Sequence, residues 1–180
     1  MIKRLSEGLA WTKRLEDERG AALVELAICL PVLLVLVFGL IDFSQIIYDD
    51  EQITGLSRQG SDLASRGTSL TSTVSALVVQ GAPLNIGTNG RIILTEVAYN
   101  SSNIPQIVAQ AESPAGISVS SAVGSGVGNS ANMPPSSSTV LAAGQTLYIT
   151  EVFYSYSPIT PVGGLLHKSL ASTLYDVAYF

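Results

Sequence analysis

The longest apolar run of this chain opens with the sequence GAALVE at positions 20–25 and ends at Ile41. From Ala21 onward it holds 21 residues and a single charged side chain, Glu25. A helix of this length measures about 32 Å, close to the roughly 30 Å hydrocarbon core of a bilayer. A carboxylate near the start of such a helix costs about 2–3 kcal/mol, so its presence indicates a function. The run therefore predicts a membrane-spanning helix over residues 21–42 in which Glu25 is a functional residue.

The composition of the 180 residues limits the classes of protein that this chain can represent. Hydrophobic residues make up 47% and charged residues 13% of it, which excludes a disordered chain and suits one membrane segment attached to a small, weakly charged domain. Five of the nine lysines and arginines precede residue 21, and no basic cluster follows, which argues against nucleic-acid binding. The basic residues before the run and the acidic residues 49–51 after it predict a cytoplasmic N-terminus.

Two residues inside the run, Cys29 and Pro31, have structural interpretations. Cys29 is the only cysteine, so the chain forms no intrachain disulfide, and in the run it acts as a small hydrophobic residue. Pro31 deprives the helix of one hydrogen bond and predicts a kink. The kink is either a tolerated irregularity of a membrane helix or a flexible joint that lets the helix leave the bilayer. The run exceeds the roughly 7–15 apolar residues of a secretory signal, which argues against its removal by signal peptidase.

The helical pattern continues beyond the apolar run. Apolar residues recur at spacings of mostly three, four or seven, with polar residues between them: Phe43, Ile46, Ile47, Ile53, Leu56 and Leu63. This pattern predicts an amphipathic helix over residues 43–67 whose apolar face docks onto the rest of the chain, with Gly67 as its C-cap. We therefore expect one helix from about Ala21 to Arg66, half in lipid and half as the spine of an outer domain.

Residues 68–180 predict a β-rich outer domain. The segments with a regular pattern are a short helix at Thr73–Val79 and strands at Arg91–Tyr99, Ile117–Val123, Gln145–Tyr156 and Ser169–Tyr179. One face of the clearest strand carries Tyr148, Val152, Tyr154 and Tyr156. A flexible loop rich in Gly and Ser is expected over residues 124–138, and a turn at Ser157–Pro161. Because no helices separate the strands, we expect an α+β fold in which the amphipathic helix covers one face of a small antiparallel sheet.

The sequence contains no pattern that indicates catalysis. It has no Gly-x-Ser-x-Gly elbow, no phosphate-binding loop, and no cluster of His, Cys and carboxylate residues at the spacing of metal ligands. The single histidine, His167, precedes a lysine in a stretch typical of a surface turn. The acidic residues 49–51 are better interpreted as a solvated helix face than as a cation site. We therefore predict that the protein is not an enzyme and has no catalytic residue, metal, cofactor or small-molecule substrate.

Three segments of the long helix, 19–27, 30–34 and 38–43, together resemble the start of TadE-like proteins. These are pseudopilins of the tight-adherence (Tad, or Flp) pilus machinery. The resemblance rests on the sequences RGAALVELA, LPVLL and FGLIDF and extends over about residues 18–66. The sequence EVFYSYSPITP at 151–161 is similar to a Tyr-x-Tyr-x-Pro strand end of the same group, and the region between carries no resemblance.

The resemblance implies a pilin-like fold and a processing step. A membrane-bound prepilin peptidase would cut between Gly20 and Ala21, remove residues 1–20 as a leader, and free the α-amine of Ala21. Glu25 would pair with that amine on a neighbouring subunit, since pairing two charges recovers much of their desolvation cost. The alternative is that Glu25 serves only recognition by the peptidase.

The resemblance also implies a place in the cell. The chain would be a single-pass protein of the bacterial inner membrane, with its N-terminus cytoplasmic and its C-terminal domain periplasmic. Its partners would be the peptidase and the other pilins and pseudopilins of the Tad machinery. Because major pilins of this family are much shorter, a chain of 180 residues is expected to be a minor pilin in the assembly or initiation of an adhesive pilus. The alternative is an uncleaved single-pass membrane scaffold whose outer domain binds an envelope partner.

Overall fold

The fold is a long helix followed by a small sheet with short helices around it. The computed structural model describes residues 3–133, 144–166 and 173–180. Along the chain lie α1 (Lys3–Ser65), α2 (Leu70–Gln80), a 3-10 turn (Ala82–Leu84), α3 (Ile86–Asn89), β1 (Gly90–Tyr99), β2 (Pro105–Glu112), β3 (Thr146–Ser155), α4 (Pro161–Leu166) and β4 (Thr173–Tyr179). The four described strands form one antiparallel sheet in the order β2-β1-β3-β4. The predicted α+β fold, with a long N-terminal helix and an antiparallel sheet, is confirmed.

Helix α1 is 63 residues long and begins well before the predicted start at Ala21. The segment that precedes Gly20 is rich in Leu, Glu, Lys and Arg, which are all strong helix formers. A single glycine costs a helix only about 1 kcal/mol, so Gly20 does not end it. The predicted leader and the apolar run therefore lie in one continuous helix.

The end of α1 lies where the sequence predicts it, at Gly67. The φ of Gly67 is +90°, a conformation that suits a residue without a side chain. Its N–H donates to the Ala64 carbonyl at 3.0 Å, and the N–H of Thr68 donates to the Leu63 carbonyl at 3.3 Å. This pair of hydrogen bonds is the Schellman motif, which satisfies two of the carbonyl groups left open at the end of the helix.

The second half of α1, residues 42–65, packs on one face of the sheet. Its side chains Ile53 and Leu56 lie in a buried core with residues from α2, β1 and β3, among them Leu77, Ile92 and Leu94. The face of β3 predicted from its alternation also contributes to this core: Tyr148, Val152, Tyr154 and Tyr156. The amphipathic half of the helix therefore covers the sheet, as its pattern predicts.

Two residues that the pattern placed on the docking face lie elsewhere. Phe43 and Ile47 are 60% and 47% exposed, so their predicted position is wrong. The helix turns Asp42 and Asp49 toward the outer domain instead, and both are buried. The hydrophobic pattern gave the wrong face for the start of the amphipathic segment because the side chains that are buried there carry charge.

An irregular segment, residues 113–133, covers the opposite face of the sheet. Together with β1, β2 and β3 it forms a second buried core: Val97, Ile107, Val123, Ala131 and Ile149. The strand predicted at Ile117–Val123 is wrong, because this backbone forms no ladder with any described strand. Its residues Ser121 and Ala122 bond instead to the side chain of Glu151.

The other predicted elements lie close to the observed ones. The helix predicted at Thr73–Val79 is α2, and the remaining three predicted strands are β1, β3 and β4. Residues 134–138 of the predicted loop, His167 and residues 169–172 lie outside the described residues. In the described part of that loop, the N–H of Gly128 donates to the Ile107 carbonyl at 2.8 Å. The predicted turn at Ser157–Pro161 leads directly into α4.

Candidate functional site

The first half of α1 carries a large exposed apolar surface. Residues 20–37 are all exposed. The large hydrophobic side chains among them are Leu23, Val24, Leu26, Ile28, Leu30, Val32, Leu33, Leu34, Val35, Leu36 and Val37. Monomeric soluble proteins rarely expose contiguous apolar patches above roughly a few hundred Å². Among the described residues, α1 from Gly20 onward is the one helix long and apolar enough to cross a membrane. Its surface therefore requires lipid or protein around it.

The residues of the predicted processing site lie at the start of this surface. Gly20, Ala21 and Glu25 are all exposed, and a Cβ at Gly20 would meet no atom within 4 Å. Glu25 follows Ala21 by four residues, so the two lie on the same face of the helix, about one turn apart. The peptide bond after Gly20 and the carboxylate of Glu25 are thus both open to a partner, while the cleavage and pairing roles stay predictions.

Pro31 lies inside α1, and the helix continues on both sides of it. Because proline has no N–H, the carbonyl four residues earlier, at Ala27, loses its helical donor. A carbonyl without a donor is costly in hydrocarbon, where water cannot replace the lost bond. The structure thus places the proline within the exposed apolar surface, and the kink stays a prediction.

Where α1 meets the outer domain, much of its buried face is polar. Four buried polar side chains follow one stripe along the helix: Asp42, Asp49, Ser57 and Ser61. Their separations of seven, eight and four residues keep all four on one side of the helix, within about 120° of its circumference. We refer to these four residues as the polar seam.

Asp42 binds the chain that follows β3. Its Oδ1 accepts hydrogen bonds from the N–H groups of Ile159 and Thr160, at 3.2 and 3.1 Å, and its Oδ2 accepts one from the Thr160 hydroxyl. The Tyr156 hydroxyl donates to the Asp42 backbone carbonyl at 3.3 Å. A Cβ at Gly163 would clash with Asp42 Oδ2, so glycine is required at this close approach. One carboxylate thus fixes a whole turn of chain against the helix.

Two serines of the polar seam join α1 to the sheet. Ser61 Oγ lies 2.9 Å from both Thr150 Oγ1 and the Ala178 carbonyl, and it accepts the Thr150 N–H at 3.1 Å. The Ser57 hydroxyl donates to the carboxylate of Asp176. Thr150 belongs to β3, whereas Asp176 and Ala178 belong to β4. Because hydrogen bonds are directional, these contacts fix both the rotation of the helix and its position along the two strands.

Asp49 carries the second carboxylate of the polar seam. Its Oδ1 accepts a hydrogen bond from Gln45 Nε2 at 2.8 Å. Burial raises the pKa of the Asp49 carboxyl, and the bond from Gln45 offsets part of that rise. Burial also raises the pKa of Tyr154, and the charge of Asp49 adds to the effect. The ionised form of Asp49 therefore costs the folded protein stability at neutral pH.

On the opposite face of the sheet, a third buried carboxylate holds the segment 113–133. Glu151 Oε1 accepts the Ala122 N–H at 2.8 Å and the Tyr175 hydroxyl at 3.0 Å, and Oε2 accepts the Ser121 hydroxyl. Burial, and then the charge of Glu151, raise the pKa of Tyr175, which keeps its hydroxyl protonated as a donor. These bonds attach the middle of the segment to the sheet, and one isolated β-bridge between Gln106 and Ser130 attaches its end.

The sequence interpretation missed the polar seam. It treated Asp42 as part of a family motif and Asp49 as a solvated residue, and it gave no position to Ser57 or Ser61. A signal was nevertheless present, because small polar residues recur at spacings of four, seven and eight residues on the side of the helix next to Ile53. The site that the structure assembles thus has two parts, the exposed apolar surface and the seam that attaches it to the outer domain.

Comparison with known families gives a match to this helix. Residues 20–62 match the family model described as TadE-like protein. This part of the chain is TadE-like. The TadE-like segment starts at the predicted cleavage residue, contains the exposed apolar surface and all four seam residues, and ends before the sheet. No curated protein and no solved structure matches the chain. The predicted resemblance is therefore confirmed for α1.

Proposed function

We propose that this protein is a minor pilin or pseudopilin of a Tad-type pilus, inserted in the bacterial inner membrane and active in pilus assembly or initiation. The TadE-like segment supports a pilin function related to the Tad pilus. The observation that carries the proposal is a TadE-like helix with an exposed apolar first half and a second half attached to a folded β-rich domain. Such a helix can lie in lipid before assembly and against other pilin helices afterwards. TadE-like pilins are structural, and we propose no catalytic role.

The proposal includes removal of a leader by a prepilin peptidase, between Gly20 and Ala21. The exposure of both residues supports this step, because a peptidase must reach the peptide bond that joins them. Glycine also weakens a helix by about 1 kcal/mol relative to alanine, so the turn around Gly20 opens more easily for cleavage. The mature chain then begins with the free α-amine of Ala21.

After that cut, Glu25 lies close to the start of a new helix. The positive end of the helix dipole favours a carboxylate near this position by about 0.3–1 kcal/mol. In lipid, pairing Glu25 with the α-amine of a neighbouring subunit recovers much of the desolvation cost that each charge carries alone. We propose that this pairing sets the position of one subunit against the next.

The mass of the mature N-terminus, measured on protein from cells that carry the pilus machinery, tests the processing step. We expect the wild-type chain to begin at Ala21. We expect Gly20→Val to keep its leader, because a branched side chain fills the space that Gly20 leaves open. Gly55→Val is the matched control, since Gly55 is another exposed glycine of α1 with no atom within 4 Å of its Cβ position. A wild-type protein that retains its first 20 residues contradicts the proposal.

Recovery of the protein in sheared surface fractions tests the role of Glu25. We expect Glu25→Gln to insert in the membrane and be processed at Ala21, but to be missing from the sheared fraction. Glu51→Gln, an exposed acid of the same helix beyond the apolar run, should behave as wild type. Normal recovery of Glu25→Gln in the sheared fraction contradicts the pairing role. If Glu25→Gln instead keeps its leader, Glu25 is needed for recognition by the peptidase.

The second candidate function is an uncleaved single-pass membrane scaffold whose outer domain binds an envelope partner. The observation that favours it is the continuity of α1, which runs from Lys3 through Gly20 without a break. Leader and membrane segment then act as one permanent anchor. The N-terminal mass separates the two functions, because a chain that begins at Met1 supports the scaffold and a chain that begins at Ala21 supports the pilin.

A further inference from the structure

The folded domain reaches down to the last turn of the apolar run. Residues 20–37 are all exposed, whereas Phe38 and Gly39 are half-buried. Among the described residues, no other part of the chain lies within 4 Å of a Cβ at Gly39, and the first buried residue of α1 after Gly20 is Asp42. Helix α4 contacts α1, and its Gly163 lies directly against Asp42. Part of the chain that follows β3 therefore lies level with the end of the apolar run.

The length of the run places this level at the membrane surface. Arg19 is the last basic residue before the run and marks its cytoplasmic end. From residue 20, about 30 Å of hydrocarbon takes up about 20 residues of helix and ends near Leu40. Asp42 lies half a turn beyond that point. The turn that Asp42 binds, residues 156–163, therefore lies at the outer boundary of the hydrocarbon core.

Apolar side chains are exposed at this boundary, next to the small polar residues Ser44 and Ser157. On α1, Phe43 and Ile47 continue the surface of the apolar run. On the turn 156–163, Ile159 is 66% exposed although its N–H is held by Asp42 at 3.2 Å. No charged residue occurs between positions 152 and 166. The charge of Asp42 is itself covered by three hydrogen bonds from the turn, so that it can lie beside lipid without losing its partners.

We infer that the turn 156–163 is a second membrane contact, in which Ile159 inserts into the interface of the outer leaflet beside Phe43 and Ile47. This inference rests on the proposed insertion of α1 in the membrane. We assign lipid to this surface because Phe43 and Ile47 continue the membrane-spanning run, the turn 156–163 carries no charge, and both lie at the headgroup boundary, one helical turn before the exposed acids Asp50 and Glu51. The second contact holds the outer domain at a fixed orientation on the bilayer until the helix is withdrawn.

Depth-dependent quenching of a fluorescent probe tests the inference. Cys29→Ala removes the only cysteine, and Ile159→Cys, Leu33→Cys or Val127→Cys then gives one labelling site for an environment-sensitive dye. The full chain is placed in phosphatidylcholine vesicles that contain a nitroxide lipid, with the nitroxide either near the headgroup or near the end of the acyl chain. Leu33, near the middle of the run, reports on the membrane span itself.

Val127 is the matched control for Ile159. It is an apolar side chain that is 71% exposed, but it lies at the far end of the domain. The next residue, Gly128, bonds to Ile107, which pairs with Val97 in the sheet. Along the sheet, that pair lies farther from Asp42 than Thr150 does. Thr150 contacts Ser61, and 19 residues of helix, about 28 Å, separate Ser61 from Asp42. Val127 is therefore far from the membrane surface.

We expect the dye at Ile159 to be quenched by the shallow nitroxide at least about twice as strongly as by the deep one, and about twice as strongly as the dye at Val127. The dye at Leu33 should be quenched more by the deep nitroxide. Quenching at Leu33 with none at Ile159 overturns the inference and leaves the membrane span intact. No quenching at Leu33 overturns the span as well. A dye at Ile159 that is shielded from water but not quenched by lipid indicates a protein neighbour and also overturns the inference.

Discussion

The apolar run of α1 and the part that follows it, which we call its first and second halves, differ in which kinds of side chain they bury. In residues 21–37 the large hydrophobic side chains are exposed, whereas in residues 42–65 four polar side chains are buried. A helix of a soluble protein would show the opposite arrangement along its whole length. The first half obtains its apolar environment from outside the chain, and the second half obtains its environment from the sheet. What α1 buries is therefore decided by the partner beside each half, and hydrophobicity alone does not predict it.

The polar seam fixes the rotation of α1 on the sheet, whereas the apolar core contributes most of the stability. Ile53 and Leu56 bury apolar surface, which is the main favourable term but does not favour one rotation of the helix strongly over another. The hydrogen bonds that Asp42 accepts reach the turn 156–163, and those of Ser57 and Ser61 reach β4 and β3. All of them are satisfied together in one rotation of the helix. We interpret the seam as the feature that keeps a helix with a long apolar run before it from turning or sliding on its domain.

The largest expected effect is on the free energy of unfolding, when a large aliphatic side chain is truncated in one half of α1 or in the other. Ile53→Ala should lower the free energy of unfolding by about 3–4 kcal/mol, because it leaves a cavity in the core beneath α1. Leu33→Ala should change it by less than about 0.5 kcal/mol, since Leu33 is 58% exposed and no described part of the outer domain covers it. Urea unfolding of the full chain in micelles, followed by hydrogen exchange of β1 and β3, measures both. Equal losses would show that the first half also packs on the domain.

The next effect concerns the carboxylates at the junction of the halves. Asp42→Ala leaves the N–H groups of Ile159 and Thr160 and the Thr160 hydroxyl without their acceptor. Buried donors without partners cost about 1–3 kcal/mol each, and water at this edge recovers part of that cost, so we expect a loss of about 2 kcal/mol. Hydrogen exchange of the two amides should become faster. Asp50→Ala, at an exposed position of the same helix, should leave their exchange unchanged.

The apolar half of α1 and the sheet could be predicted because their signals are local. An uninterrupted apolar run of bilayer length has few alternative interpretations, and the alternation of Tyr148, Val152, Tyr154 and Tyr156 already defines the face that packs on the helix. The glycine that ends α1 is also a local signal, since Gly67 alone adopts the required φ at low cost. Each of these features depends on neighbours within a few residues in the sequence.

The parts that could not be predicted depend on distant contacts. Strand β2 begins with a proline and has the sequence PQIVAQAE, a polar edge strand whose one neighbouring strand is β1 and whose Gln106 also forms a single bridge to Ser130. The alternating sequence at 117–123 looks like a strand, but Glu151, about 30 residues away, binds Ser121 and Ala122 and holds them over the sheet. The polar seam likewise exists only because β3, β4 and the turn 156–163 place acceptors and donors against α1.

The smallest expected effect asks whether the buried charge of Asp49 contributes to the attachment of the second half or is only tolerated. Asp49→Asn keeps an oxygen that can accept the hydrogen bond from Gln45 Nε2, now 2.8 Å long, and removes the charge. Because burial raises the pKa of Asp49, the folded protein binds a proton there more tightly than the unfolded chain does. The stability of the wild type therefore falls as the pH rises from the unfolded pKa to the folded one, and the loss persists at neutral pH.

Asp49→Asn should consequently be more stable than the wild type at neutral pH, by less than about 1 kcal/mol. The difference should shrink as the pH falls and vanish below the pKa of an unfolded aspartate, about 3.9, where both side chains are neutral. Thermal unfolding of the two proteins over this pH range measures the difference, and effects of the other carboxylates cancel in it. If the variant is instead less stable at neutral pH, the charge of Asp49 makes a favourable contact, and the polar seam stabilises the second half of α1 through its charge as well as its hydrogen bonds.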